Sequence, residues 1–142
     1  MKTRSCFAAL LAVVVLAPGV AVAADAPTAT SSQTAGVKRT VLRRVDVPGS
    51  TYEVVVVLVE VPANTSTGRH THPGSVIGYL MEGSYTMMIE GRPPATLKPG
   101  DTLEVPAGAV HDERSGTTPA KLLAVFTVEK GKPLTTPVQA AK

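Results

Sequence analysis

Apolar runs in this chain are short, and Gly or Pro stands between most of them. Val37–Val47 mixes Val and Leu with Lys and Arg, as a half-exposed strand does. Tyr52–Val61 holds the unbroken run Val54-Val55-Val56-Val57-Leu58-Val59. β-Branched side chains favour the extended backbone, so this run predicts a strand buried on both faces or at a sheet centre. Val76–Met81 and Tyr85–Ile89 predict two short strands joined through Glu82-Gly83-Ser84. Alternation in the second places Tyr85, Met87 and Ile89 on one face, with Met87 pointing inward. Turns are expected at Glu90–Pro94, Lys98–Asp101 and Pro106–Gly108. Thr102–Val105 alternates, which turns Leu103 and Val105 inward and Glu104 to solvent. Lys121–Glu129 is the last apolar strand. No segment shows a 3.6-residue period with caps. The pattern predicts an all-β fold, a small antiparallel barrel or sandwich over residues 37–130.

The two ends break the pattern. Lys2 and Arg4 precede an uncharged stretch from Ser5 to Ala24, strongly apolar over Phe7–Leu16. Pro18-Gly19 interrupts it, and Ala21-Val22-Ala23 supplies the small residues of a cleavage site. Residues 1–24 therefore read as a secretory signal peptide, with a membrane anchor as the competing reading. The expected destination is the periplasm or the exterior, with no membrane association after cleavage. Residues 25–36 carry no apolar period and read as a flexible leader. Residues 131–142, with Pro133 and Pro137, read as a C-terminal tail.

Removal of the signal changes the chemistry on offer. Lys2, Arg4 and Cys6 leave with it, so 12 basic residues face 11 acidic ones and the formal charge falls from +3 to +1. That balance and the scatter of basic residues predict no nucleic-acid partner. Without cysteine, a disulfide, a thiolate zinc site, an iron–sulfur cluster and a Cys nucleophile are all excluded. Aromatics are 4% of the chain and Trp is absent, so the core must be aliphatic. No nucleophile elbow or Gly-rich phosphate loop is present.

Three histidines remain as candidate chemistry: His70, His72 and His111. On an extended segment, His70 and His72 point to the same face. His111 follows the Pro106-x-Gly108 turn, far away in sequence. Three neutral imidazoles converging inside a barrel form a facial nitrogen site for a divalent transition metal. Taken alone, a His-x-His in a turn-rich loop more often faces water than a metal.

Order and spacing add to this. His70-x-His72 with Gly83 eleven residues on, followed by Gly100-x5-Pro106-x-Gly108-x2-His111, resembles the two-part signature of the cupin superfamily. The phrases His70-Thr-His72-Pro-Gly74 and Ile77-Gly-Tyr-Leu-Met-Glu-Gly83 are similar to those of small single-domain cupins. The resemblance covers about Tyr52 to Pro133. It implies a small jelly-roll β-barrel, a divalent metal on His70, His72 and His111, and a small-molecule ligand or substrate.

The sequence departs from the pattern at three places. Asn64 stands for the leading glycine and Ser115 for the closing asparagine. Val76 stands where the family's glutamate ligand falls, and the neighbouring registers offer Ser75 or Ile77. A three-His metal is uncompensated by protein charge and favours anionic or enolate-type ligands. The resemblance to three-His cupin dioxygenases implies iron(II) first, with Mn, Ni, Zn or Cu also suited, and dioxygenase-type oxidoreductase chemistry. The alternative is a non-catalytic cupin that binds a metal or small ligand. Val76 is expected as a dry wall, with Tyr79, Tyr85 and Met87 as pocket lining. Glu82 is expected at the surface. Asp112 and Glu113 are expected in a solvated loop, with a supporting place beside the metal as the other reading. Exposed strand edges make a homodimer the expected assembly.

Overall fold

The computed structural model describes residues 36–139. The signal stretch at 1–24, leader residues 25–35 and the last three residues lie outside the described residues. Among the described residues ten strands follow one another: β1 (Lys38–Asp46), β2 (Tyr52–Val61), β3 (His70–Thr71), β4 (Ser75–Glu82), β5 (Tyr85–Ile89), β6 (Ala95–Leu97), β7 (Thr102–Val105), β8 (His111–Ser115), β9 (Ala120–Glu129) and β10 (Thr136–Pro137). They form two five-stranded antiparallel sheets, ordered β1-β2-β9-β4-β7 and β10-β3-β8-β5-β6. The architecture is all-β, as the strand pattern predicts, and it is the jelly roll that the motif resemblance implies.

The Val run builds the core from one sheet. β2 pairs with β9 along its whole length, from Tyr52↔Glu129 to Val61↔Ala120. Val55, Val57, Val59 and Val61 are buried and sit opposite Phe126, Ala124, Leu122 and Ala120. Their neighbours Val54, Val56 and Leu58 are half-buried on the other face. So β2 is buried on one face, and it lies inside the sheet between β1 and β9. Each buried Val contributes about 1.5 kcal/mol or more from the apolar area it removes from water. Glu53 interrupts the inner row near one rim, where Arg44 Nη1 lies 2.7 Å from its Oε1.

β4 and β5 are consecutive in the chain but belong to different sheets. Gly83 carries the crossing between them. Its φ is +82°, and a Cβ there would lie 2.2 Å from the Pro119 carbonyl oxygen. Only glycine tolerates both conditions.

The segment expected as a tail is tied to the barrel. Thr136 and Pro137 pair with Thr71 and His70 as β10 on β3. The Val138 amide donates to the Arg69 carbonyl at 2.9 Å. Tyr79 departs from its expected role: it is exposed on the outer face of β4, opposite Leu123. The inward residues of that strand are Val76, Gly78 and Leu80.

Candidate metal centre

The backbone brings the three histidines together. His70 and His111 are cross-strand partners in the β3–β8 ladder, so their side chains leave the same face. His72 follows two residues after His70. The ring centroids stand 4.2 Å apart for His70 and His111, and 4.8 Å apart for the other two pairs. The turn before His111 is fastened to the first motif. Gly108 adopts φ +73°, and its amide donates to the His72 carbonyl at 2.8 Å.

Each imidazole is held by its Nδ1. His70 Nδ1 donates to the Gly68 carbonyl at 2.7 Å, His72 Nδ1 to the Leu134 carbonyl at 2.6 Å, and His111 Nδ1 to the Ala109 carbonyl at 2.9 Å. A carbonyl can only accept, so all three Nδ1 atoms carry the proton. In its neutral form each imidazole then presents the Nε2 lone pair. Burial pushes the His72 pKa down to about 3 and lowers that of His70. For His70 the Glu113 charge and the Gly68 hydrogen bond oppose this lowering without reversing it. His70 and His72 are thus neutral at neutral pH. The Nε2 of His111 is completely buried and has no hydrogen-bond partner.

Two residues near this cluster depart from their expected place. Asp112 and Glu113 both lie on β8, not in a solvated loop, and only 12% of the Glu113 side chain is exposed. Glu113 Oε1 stands 3.5 Å from His111 Nε2, and its Oε2 stands 3.8 Å from His70 Nε2. Thr67 Oγ1 donates to Oε2. The Thr67 amide donates to the Glu113 carbonyl at 2.8 Å. Asp112 points away from the histidines and accepts from Ser66 Oγ at 2.8 Å. The sequence signal for Glu113 was its place two residues after His111, which on a strand means the same face.

Beside the cluster lies a cavity of about 40 Å³. Its walls include Val59, Val76, Leu103, Val105, Leu122 and Phe126, with His70, His72, Tyr85, Glu113 and Arg39 among its polar lining. Val76 is the dry wall expected of it. Phe126 meets the His72 ring edge-on at 5.1 Å. Tyr85 lines the cavity, and burial raises its phenol pKa well above the usual value. Met87 is buried in the core but does not line this cavity. Glu104 is exposed opposite Ile77, and Glu82 is at the surface, where Lys121 Nζ donates to it at 3.0 Å.

The other two departures have structural replacements. Asn64 adopts φ +53°, the left-handed geometry the missing glycine would have supplied. Ser115 Oγ donates to the Pro62 carbonyl and accepts from the Thr65 amide at 3.0 Å.

These residues fit a divalent transition metal. The ligand atoms of His70, His72 and His111 all lie within 4.8 Å of one another. Their protons are committed away from the cluster, and a buried nitrogen without a partner points into it. Nδ1–H held by a backbone carbonyl, with Nε2 left free, is the way proteins orient metal-binding imidazoles.

Comparison with known proteins agrees with this fold. The Cupin_2 model, described as a cupin domain, matches residues 57–126. Dimethylsulfoniopropionate lyase DddQ of Ruegeria pomeroyi is 30% identical over 79 residues, which is 56% of this chain and 39% of that one. The chain thus spans about two fifths of that curated relative. The crystal structure of the same lyase superposes with a TM-score of 0.61 at 24% identity, over 72% of this chain and 51% of that one. A cupin-like protein from Thermotoga maritima gives a TM-score of 0.60 at 20% identity, over 78% of this chain and 86% of that one. The matched span runs from the inner Val row of β2 through all three histidines to the Phe126 that packs on His72, and this chain carries a cupin domain.

Proposed function

We propose that this protein is an exported metal-binding cupin that acts on a small chelating molecule at His70, His72 and His111. One observation carries the reading: three Nδ1–H groups are fixed on backbone carbonyls, and the ligand atoms of these three buried imidazoles lie within 4.8 Å of one another. The metal, once bound, supplies Lewis acidity and positions for ligand oxygens. The chain's own residues supply the rest. Val76, Leu103 and Phe126 keep the cavity dry, which strengthens every charge interaction inside it. Arg39 brings a cation to the lining, which favours an anionic group on the ligand.

Iron(II) suits the nitrogen donors and supports a dioxygenase-type oxidation of the ligand. A second reading is elimination without oxygen. Its support is the curated relative, which is a lyase. The N-terminal apolar stretch with its small-residue end supports export.

The test is metal content. The mature protein, purified after export without chelators, is expected to carry about one equivalent of metal, lost in His70→Ala and His111→Ala. Oxygen uptake with chelating phenolics or diketones then favours the oxidative reading. Anaerobic product release favours elimination. Bound metal without turnover leaves the non-catalytic cupin, and no metal after anaerobic loading with iron(II) overturns the proposal.

A further inference from the structure

We infer that Glu113 is a fourth protein ligand of the metal, so that the carboxylate missing from β4 at Val76 is supplied from β8 instead. The inference rests on the three-histidine reading and specifies its coordination shell.

The geometry comes first. Two ligand atoms each about 2.1 Å from a shared ion stand about 3.0 Å apart at a right angle and about 3.4 Å apart in a tetrahedron. Glu113 Oε1 is 3.5 Å from His111 Nε2, and Oε2 is 3.8 Å from His70 Nε2. These separations are too long for hydrogen bonds and close to those of neighbours around one ion.

The chemistry follows. With Nδ1 protonated, the Nε2 of a neutral imidazole is an acceptor. A carboxylate oxygen is also an acceptor. Lone pairs aimed at an anionic oxygen repel in a buried site unless a cation lies between them. A divalent ion among His70, His111 and Glu113 turns that repulsion into attraction. It also gives the buried His111 Nε2 the partner it lacks.

The carboxylate is held ready for this. Thr67 donates its hydroxyl to Oε2 and its amide to the Glu113 carbonyl. The Glu113 amide donates back to Thr67 Oγ1 at 3.2 Å. The side chain is thus fixed through Oε2, with Oε1 turned to His111. Four ligands would bring the shell's net charge from +2 to +1, as a glutamate at position 76 would have done.

Cobalt(II) titration of the mature protein tests this, with affinity and the visible d–d spectrum as readouts. Wild type is expected to bind one equivalent. Glu113→Ala is expected to weaken binding by about tenfold to a hundredfold and to change the band intensities. Glu113→Gln keeps an acceptor for Thr67 and is expected to fall between them, which separates lost ligation from lost folding. Glu113→Ala/Val76→Glu is expected to recover most of the affinity, because Val76 lines the same cavity. Unchanged affinity and spectrum in both single Glu113 variants would overturn the inference and leave the three-histidine site standing. So would tighter binding in Glu113→Ala, the result if Glu113 pairs with a protonated histidine. Failure of wild type to bind cobalt, or binding that survives His70→Ala, would overturn the metal reading itself.

Discussion

The two sheets line one cavity with opposite kinds of residue. The sheet β1-β2-β9-β4-β7 presents Val59, Val76, Val105, Leu122, Ala124 and Phe126, with Arg39 as its one charged side chain there. The sheet β10-β3-β8-β5-β6, with the loops that join it, presents Thr67, His70, His72, Tyr85 and Glu113. The first sheet excludes water and the second places donors. The two roles are coupled, because dryness from one wall keeps the imidazoles of the other neutral. Burial is the largest cause of the lowered pKa at both His70 and His72. A metal competes with protons for these nitrogens, and imidazoles that are already neutral need give up no proton to bind it.

The sharpest way to break the comparison is to remove a donor. His111→Ala is expected to lower metal affinity by roughly 100-fold or more, given that structural zinc shells of four ligands supply about 10–16 kcal/mol. Its melting temperature without metal should move much less, and calorimetry with and without metal shows both effects. Damage to the wall should do the reverse. Leu80 is completely buried on β4, so Leu80→Ala is expected to cost about 2–5 kcal/mol in denaturant unfolding and to leave one metal per chain. Acid tests the coupling. The folded pKa of His72 lies near 3 against 6.5 for the free side chain. In that window the unfolded chain takes up the proton and the folded chain does not. Stability without metal should therefore be complete above about pH 6.5 and fall steadily as pH drops towards 3, read from urea midpoints. The smallest effect is expected at the fastening between the motifs. Gly108 has φ +73° and open space where a Cβ would stand, so Gly108→Ala meets backbone strain alone, about 1–2 kcal/mol. It should loosen His72 slightly and weaken metal binding by less than any histidine variant.

The same contrast decides what could be read from the sequence. The wall was legible because its physics is periodic: Val runs and Leu103/Val105 alternation state which side faces in. β2, β5 and β7 appear with the bounds the pattern gives. The second sheet was harder to see. β3 and β10 have two residues each and β8 reads His-Asp-Glu-Arg-Ser, so neither length nor hydropathy marks them. Motif spacing located His70, His72 and His111 where periodicity could not. Glu113 reads first as solvated, with a place beside the metal only as the second reading, because a charged tetrapeptide looks solvated until the ladder Met87↔Glu113 and the bridge Ser66↔Arg114 enclose it. Tyr79 failed for a simpler reason: alternation on β4 puts Tyr79 with Ile77 and Met81, on the face away from the core.

The hydrogen bond from His72 Nδ1 to Leu134 has a practical consequence for anyone purifying this protein. Leu134 lies eight residues from the end of the chain, in the segment that β10 and Val138 hold against β3 and Arg69. An affinity handle fused at that end pulls on the peptide that orients a candidate ligand. An oligohistidine handle also brings spare imidazoles close to the same metal. On the proposed export route, a handle at the other end departs with the signal stretch. Metal stoichiometry is therefore best measured on untagged protein, or after a cleavable C-terminal handle has been removed.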